Sequence, residues 1–106
     1  MVEQTLYLNN IFASLADPTR RDILRRVMDK EQSISALAGL YDMSFAAVAK
    51  HLTVLEKALL ITKKRVGKQQ MIAASPSTIK DASLYLEQYE RIWKERFDKL
   101  EHFLSQ

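Results

Sequence analysis

With 106 residues, of which 47% are hydrophobic and 27% charged, the chain is expected to form one globular domain, residues 1–106. It contains no cysteine, which excludes disulfides and zinc–thiolate sites. No apolar run approaches the roughly 20 residues that cross a bilayer, and the polar start lacks a signal-peptide core, so we expect a cytoplasmic protein with no membrane partner.

The formal net charge of +3 is unevenly distributed along the chain. Residues 50–68 contain six basic side chains and one acidic side chain, whereas residues 76–106 are close to neutral. A local basic stripe is typical of a surface that faces phosphate groups. The same residues could also form an ordinary solvated surface, so charge alone leaves both interpretations open.

Two helices are predicted at the start of the chain, over about residues 3–15 and 18–29. Asp17 is a good N-cap for the second helix, and Pro18 suits the first helical position because its missing N–H costs nothing there. Its inward side chains are expected to be Ile23, Leu24, Val27 and Met28. Its opposite face carries Arg20, Arg21, Arg25 and Arg26. The four arginines cannot all face DNA. The two near the start of the helix, Arg20 and Arg21, are therefore the better candidates for DNA contact.

Two further short helices are predicted over about residues 33–58, joined by a tight turn at 41–44. Ser33 and Ser44 are their expected N-caps, and the first of the two helices should run to about Tyr41. The apolar face of the second is expected to consist of Val48, Leu52, Leu55 and Leu59. Its other face is small and basic, with Ala46, Lys50, Thr53 and Lys57.

A two-stranded β-hairpin is predicted over about residues 60–75, with Gly67-Lys68 as its turn. The basic side chains of this wing are Lys63, Lys64, Arg65 and Lys68. Pro76 closes the hairpin and begins a last helix of about 28 residues, over about 77–104. Its apolar side chains recur every three or four residues and continue to Leu104, beyond what one small domain can cover.

Two short helices followed by a basic hairpin predict a mainly α fold, the winged helix-turn-helix. In this arrangement the second helix enters the major groove of double-stranded DNA with a small or polar face, and the wing contacts phosphates. The candidate DNA-binding residues are Ser44, Phe45, Ala46, Ala47, Lys50, Thr53, Arg20, Arg21, Lys63, Lys64, Arg65 and Lys68. Phe45 could contact a thymine methyl group or pack the turn onto the core.

Two segments resemble the ArsR-type winged-helix repressors: residues 15–24, LADPTRRDIL, and residues 47–58, AVAKHLTVLEKA. The last helix is similar to the metal-independent branch of that family. The resemblance implies a homodimer that binds a palindromic operator and pairs through the first and last helices. The implied interface residues are Leu8, Phe12, Leu86, Tyr89, Trp93, Phe97, Leu100 and Leu104. The sequence departs from the family pattern at three positions. The family commonly has a small polar residue or Gln in place of Phe45, Ser in place of Ala49 and Gly in place of Leu59.

The chain is not expected to be an enzyme or to hold a cofactor, because it has no glycine-rich phosphate loop and no nucleophile and base at motif spacing. No metal is expected either, since its only histidines, His51 and His102, lie far apart in sequence. The predicted function is a transcriptional regulator, in particular a repressor. The alternative is a protein-interaction module on the same scaffold that no longer reads DNA.

Overall fold

The computed structural model describes residues 2–106, apart from the side chain of Val2; Met1, in the polar start, lies outside the described residues. This part of the chain forms five helices and three short strands. The helices are α1 (Val2–Ser14), α2 (Pro18–Asp29), α3 (Ile34–Ala38), α4 (Phe45–Lys57) and α5 (Pro76–Leu104). The strands are β1 (Gln32–Ser33), β2 (Ile61–Val66) and β3 (Gln69–Ala74).

Local side-chain chemistry fixes where the helices begin. The side-chain oxygens of Asp17, Ser33 and Ser44 each accept the backbone N–H three residues further on, at 3.0, 3.1 and 3.1 Å. Each bond satisfies one of the donors that the first turn of a helix leaves without a partner. All three predicted N-caps are therefore confirmed, as is Pro18 at the start of α2.

The core lies between α1 to α4 and the inner face of the sheet. α2 contributes Ile23, Leu24 and Val27 to it. The other buried apolar side chains are Ile11, Leu37, Val48, Leu52, Leu55, Ala58, Leu60, Ile61 and Ile72. Because each helix buries a single stripe at helical spacing, the outer faces of α2 and α4 remain available to solvent.

The sheet has three antiparallel strands in the order β1-β3-β2, where two were predicted. The hairpin itself is as expected: Ile61 pairs with Ala74 and Val66 with Gln69, which leaves a two-residue turn at Gly67-Lys68. The additional strand is β1, in which Gln32 pairs with Ile72. It attaches the wing to the segment between α2 and α3. β3 is therefore paired on both edges, with β2 on one side and β1 on the other.

Three details of the predicted elements are wrong. α3 ends at Ala38 rather than near Tyr41, and Gly39 is its C-cap. Met28 is 53% exposed, because the core covers only the stripe through its neighbours on α2. Leu59 is 57% exposed and has a φ of 64°, since α4 has already ended at Lys57 and the chain reverses here to enter β2.

α5 projects from the rest of the molecule. Its 29 residues span about 43 Å, and every residue from 86 to 106 is exposed. The radius of gyration is 17.9 Å, against about 13 Å for a compact chain of this length. Only the first turns of α5 lie against the core, through Ile79 and Ala82.

Candidate nucleic-acid interface

α4 is held in the core on one side and presents the other side to solvent. Val48 and Leu52 are completely buried on its inner face. The exposed residues of its outer face and first turn are Ser44, Phe45, Ala46, Lys50 and Thr53, and Ala47 is partly buried beside them. The structure thus brings together the predicted DNA-contacting residues of this helix on one accessible surface, which we call the α4 outer face.

The α4 outer face offers few hydrogen-bonding groups. The Ser44 hydroxyl oxygen caps the helix by accepting the N–H of Ala47 at 3.1 Å. The Thr53 hydroxyl donates its proton to the carbonyl oxygen of Ala49 at 3.0 Å, within the helix. Lys50 adds an ammonium group with three N–H donors and no acceptor.

The wing lies beside the C-terminal half of α4. Nζ of Lys63 is 3.3 Å from Oε1 of Glu56 on α4, and the Lys63 side chain is only 20% exposed. Lys64, Arg65 and Lys68 are exposed. The four basic residues predicted for the wing therefore divide into one that joins the wing to α4 and three at the hairpin end whose charges face solvent. Gly67 has a φ of 63° in the turn, a backbone conformation that is sterically unfavourable for residues with a Cβ.

The two arginines proposed for DNA contact on α2 bind the end of α1. Nε of Arg20 donates to the carbonyl oxygen of Ser14 at 2.6 Å, and one Arg20 terminal nitrogen is 3.3 Å from Nδ1 of His51 on α4. A terminal nitrogen of Arg21 donates to the carbonyl oxygen of Leu15 at 2.8 Å. Both guanidinium groups therefore compensate the negative end of the α1 dipole and cap its last carbonyls.

A second polar cluster fixes α2 to the turn of the helix-turn-helix. Oδ2 of Asp22 accepts from the Tyr41 hydroxyl at 2.6 Å and from Nε of Arg26 at 2.8 Å, while Oδ1 accepts from Arg25 at 2.8 Å. These bonds, the one from Tyr41 first, hold the pKa of Asp22 far below its usual value. Burial, together with the bond to Asp22, raises the pKa of Tyr41 to about 12.

Sequence reasoning missed this cluster, which we call the Asp22–Tyr41 cluster. The spacing of Asp22 from Arg25 and Arg26, three and four residues along one helix, could have indicated the two ion pairs. The bond from Tyr41 joins positions 19 residues apart and has no local signal.

The residues predicted for a dimer interface follow α1 and the outer part of α5. Leu8 and Phe12 are half-buried, and the Phe12 ring lies 5.8 Å from that of Tyr85 across the two helices. Trp93 and Phe97 contact each other at a ring distance of 5.8 Å. The exposed apolar side chains of α5 are Leu84, Leu86, Tyr89, Ile92, Trp93, Phe97, Leu100, Phe103 and Leu104. An uncovered apolar surface of this length is rare on a monomer and typical of an interface.

Within residues 2–106, no three side chains of His, Cys, Asp or Glu lie close enough together to bind a metal ion. Nδ1 of His51 is 3.8 Å from Oδ2 of Asp17, and His102 lies beside Gln106 near the end of α5. None of the helices in this described range is long and apolar enough to cross a membrane.

The sequence matches the family profile of a helix-turn-helix domain over residues 15–64. Two relatives come from Bacillus subtilis (strain 168). The uncharacterized HTH-type transcriptional regulator YuzN is 37% identical over 78 residues, 67% of this chain and 85% of that protein. The transcriptional repressor SdpR is 27% identical over 75 residues, 71% of this chain and 83% of that protein.

Solved structures with this fold include other winged helix-turn-helix regulators. The ArsR-like transcriptional regulator from Rhodococcus sp. RHA1 is 29% identical, covers 95% of both chains and superposes with a TM-score of 0.76. A possible ArsR-family regulator from Mycobacterium bovis, described as a homodimeric winged helix-turn-helix DNA-binding domain, is 18% identical, covers 84% of this chain and 83% of its own, and superposes with a TM-score of 0.70.

The fold and the sequence relatives together define a DNA-binding transcriptional regulator. The chain belongs to the ArsR-type winged helix-turn-helix regulators, since a solved ArsR family transcriptional regulator, RHA00566, is 31% identical, covers 83% of this chain and 97% of its own, and superposes with a TM-score of 0.76. This confirms the family and the fold predicted from the sequence.

Proposed function

We propose that this regulator is a cytoplasmic, metal-independent repressor that binds a palindromic operator as a homodimer. In this proposal the α4 outer face enters the major groove, and the three solvent-facing charges of the wing contact the flanking phosphates. The observation that carries the DNA-binding part is the arrangement of α4 and the wing. An accessible helix face with small side chains lies next to a basic hairpin that Lys63 and Glu56 hold against the same helix.

The proposed dimer rests on the exposed apolar row of α5. A second copy is the simplest partner, since in a two-fold interface the same surface of each copy covers that of the other. The two-fold axis also places the second α4 about one turn of DNA (~34 Å) away. The homodimer described for the Mycobacterium bovis relative supports this arrangement. A symmetric pair of reading helices would in turn select a symmetric operator.

The repressor role is supported by the similarity to SdpR, which is named a transcriptional repressor. A dimer on an operator that overlaps a promoter would exclude polymerase by occupancy. The absence of cysteine from the sequence supports metal independence, because thiolate ligands are not available. The alternative of an interaction module without DNA binding is disfavoured by the exposed charges of Lys64, Arg65 and Lys68.

The DNA-binding geometry is tested by the salt dependence of affinity. For Lys64→Ala we expect the slope of log K against log salt to fall by about 1.8 on both operator and random duplexes, because the homodimer loses one phosphate contact from each of its two wings. Lys99→Ala, which removes the same charge from the outer part of α5, should leave the slope unchanged. Equal slopes for the original protein and both variants would refute a wing that contacts phosphates.

The dimer is tested by mass in solution. Sedimentation of the full chain at micromolar concentration should give twice the 12.2 kDa mass of one chain. Leu100→Asp should shift this mass towards the monomer and weaken binding to a palindromic duplex, because it places a charge in the proposed interface. Lys99→Asp introduces the same group at the neighbouring polar position and should remain dimeric. A monomeric mass for the original protein would overturn both the dimer and the symmetric operator.

A further inference from the structure

The chemistry of the α4 outer face restricts what it can read in DNA. Phe45 and Ala46, in the first turn, carry no donors or acceptors on their side chains, and neither does Ala49 one turn further on. The hydroxyl proton of Thr53 is donated within the helix, to the carbonyl oxygen of Ala49. Lys50 is therefore the charged donor of the face and Ser44 and Thr53 add one hydroxyl group each, whereas the first turn after Ser44 is apolar.

Phe45 is not used by the core. Its side chain is 55% exposed, whereas Val48 on the inner face of the same helix is completely buried. It is absent from the partly buried apolar side chains that pack against the core, a group that includes Met43, two residues earlier. Packing the turn onto the core, one of the two roles considered for Phe45, thus has no support in the contacts. An exposed phenyl ring is available for an apolar partner.

The position of Phe45 indicates which partner it meets. It directly follows the N-cap Ser44, in the N-terminal turn of the helix that a helix-turn-helix directs at base edges. The major-groove edges of the four base pairs present donors and acceptors and a single kind of apolar group, the C5-methyl of thymine. A phenyl ring and the methyl group of the next residue, Ala46, can pack against this methyl group, but they cannot form hydrogen bonds with the donors and acceptors of the base edges.

We propose that Phe45, assisted by Ala46, is a specificity-determining residue that recognises the C5-methyl group of thymine. Each operator half-site then contains a T·A pair opposite the first turn of α4. This inference rests on the proposed function, since it requires α4 to lie in the major groove.

The test removes the methyl group without altering the hydrogen-bonding edge of the base. Duplexes that bind the full-length chain are first selected from a random pool, and each shared thymine is then replaced singly by deoxyuridine. At one thymine per half-site we expect the dissociation constant to rise about fourfold, the equivalent of one buried methyl group. The salt slope should stay the same, because no phosphate contact changes.

The protein variants decide whether Phe45 is responsible. For Phe45→Ala the thymine and uracil duplexes should bind equally well, and Phe45→Leu, which keeps an apolar side chain, should retain part of the difference. Lys64→Ala is the matched control, expected to bind both duplexes more weakly and to preserve the difference between them. Circular dichroism at the protein concentration used for binding checks that each variant is folded.

Different results would refute the role of Phe45 and the proposed DNA-binding function. A selected operator without a shared T·A pair, uracil that is neutral at every position, or a uracil effect that persists in Phe45→Ala would each overturn the role of Phe45 alone. A random pool that never enriches would contradict sequence-specific DNA binding itself, and the inference would fall with it.

Discussion

The bond between the Tyr41 hydroxyl and Asp22 predicts a measurable loss of stability when it is removed. Tyr41→Phe keeps the ring and deletes a donor that lies 2.6 Å from a carboxylate oxygen. Hydrogen bonds to charged groups contribute roughly 1.5–3 kcal/mol. Because Asp22 keeps its bonds from Arg25 and Arg26, we expect the lower end, about 1.5 kcal/mol of the free energy of unfolding. At about 4 °C per kcal/mol for a domain of this size, Tm should fall by about 6 °C.

This loss should depend on pH in a defined direction. The pKa of Asp22 is depressed in the folded protein, so its contribution is present in full above the unfolded-state pKa of about 4 and is lost as the pH falls through the folded-state pKa. Tyr41→Phe moves the folded-state pKa of Asp22 back towards its ordinary value. The unfolded-state pKa is common to both proteins, so the difference in stability between them should be constant from about pH 5 to 8. It should shrink only as the pH falls through the folded-state pKa of Asp22 in the variant, which the bonds from Arg25 and Arg26 still hold below the ordinary value.

Tyr7→Phe is the matched control for this measurement. The Tyr7 hydroxyl also donates to an aspartate, Oδ2 of Asp81, at 2.7 Å, but in an exposed position. The expected loss is about 0.5 kcal/mol, the low end for a hydrogen bond that water can replace. Both variants should be unfolded thermally and with urea at one fixed protein concentration. Equal losses for the two variants, or a Tyr41→Phe loss that grows as the pH falls from 5, would refute the role given to the Asp22–Tyr41 cluster.

Three further predictions concern single residues, and a fourth concerns metal binding. Leu59→Gly should raise the free energy of unfolding by about 1 kcal/mol in urea titrations, because glycine adopts the φ of 64° without strain; a loss would show that the exposed side chain stabilises the protein. Lys63→Ala should change the salt slope of DNA binding less than Lys64→Ala, since the Lys63 ammonium is already paired with Glu56. Arg20→Gln should lower Tm without altering that slope, whereas a slope reduced by about 1.8, for two contacts per dimer, would reveal a phosphate contact. Micromolar zinc should not release the protein from DNA in a mobility-shift assay, and stoichiometric zinc binding with sub-micromolar affinity would contradict the metal-independent assignment.

The elements with local causes were predictable from the sequence. The N-caps Asp17, Ser33 and Ser44 act on amides three residues away, so a short window of sequence contains the whole interaction. The same holds for the turn at Gly67-Lys68, where a residue that tolerates positive φ separates two β-like runs. These signals fixed the order of helices and hairpin, and with it the fold.

Features that depend on distant partners were not predictable in the same way. Strand β1 has two residues and exists only because Gln32 and Ser33 pair with β3, about 40 positions further on, so it leaves no periodic pattern. Met28 has the spacing of a core residue but lies at the edge of the buried stripe, in a shallow groove with Pro76 and Ile79. Periodicity identifies the inner face of a helix, whereas the width of that face depends on what packs against it.

Arg20 shows how a correct local interpretation can coexist with an unforeseen contact. Its basic side chain near the start of α2 made it a candidate for a phosphate, and the structure gives its guanidinium two neighbours within the protein. One is the last turn of α1, through Ser14, and the other is His51 on α4. α1 is part of the proposed dimer interface and α4 is the proposed reading helix. The planar fork of one arginine, with several donors in fixed directions, thus connects these two helices within the chain.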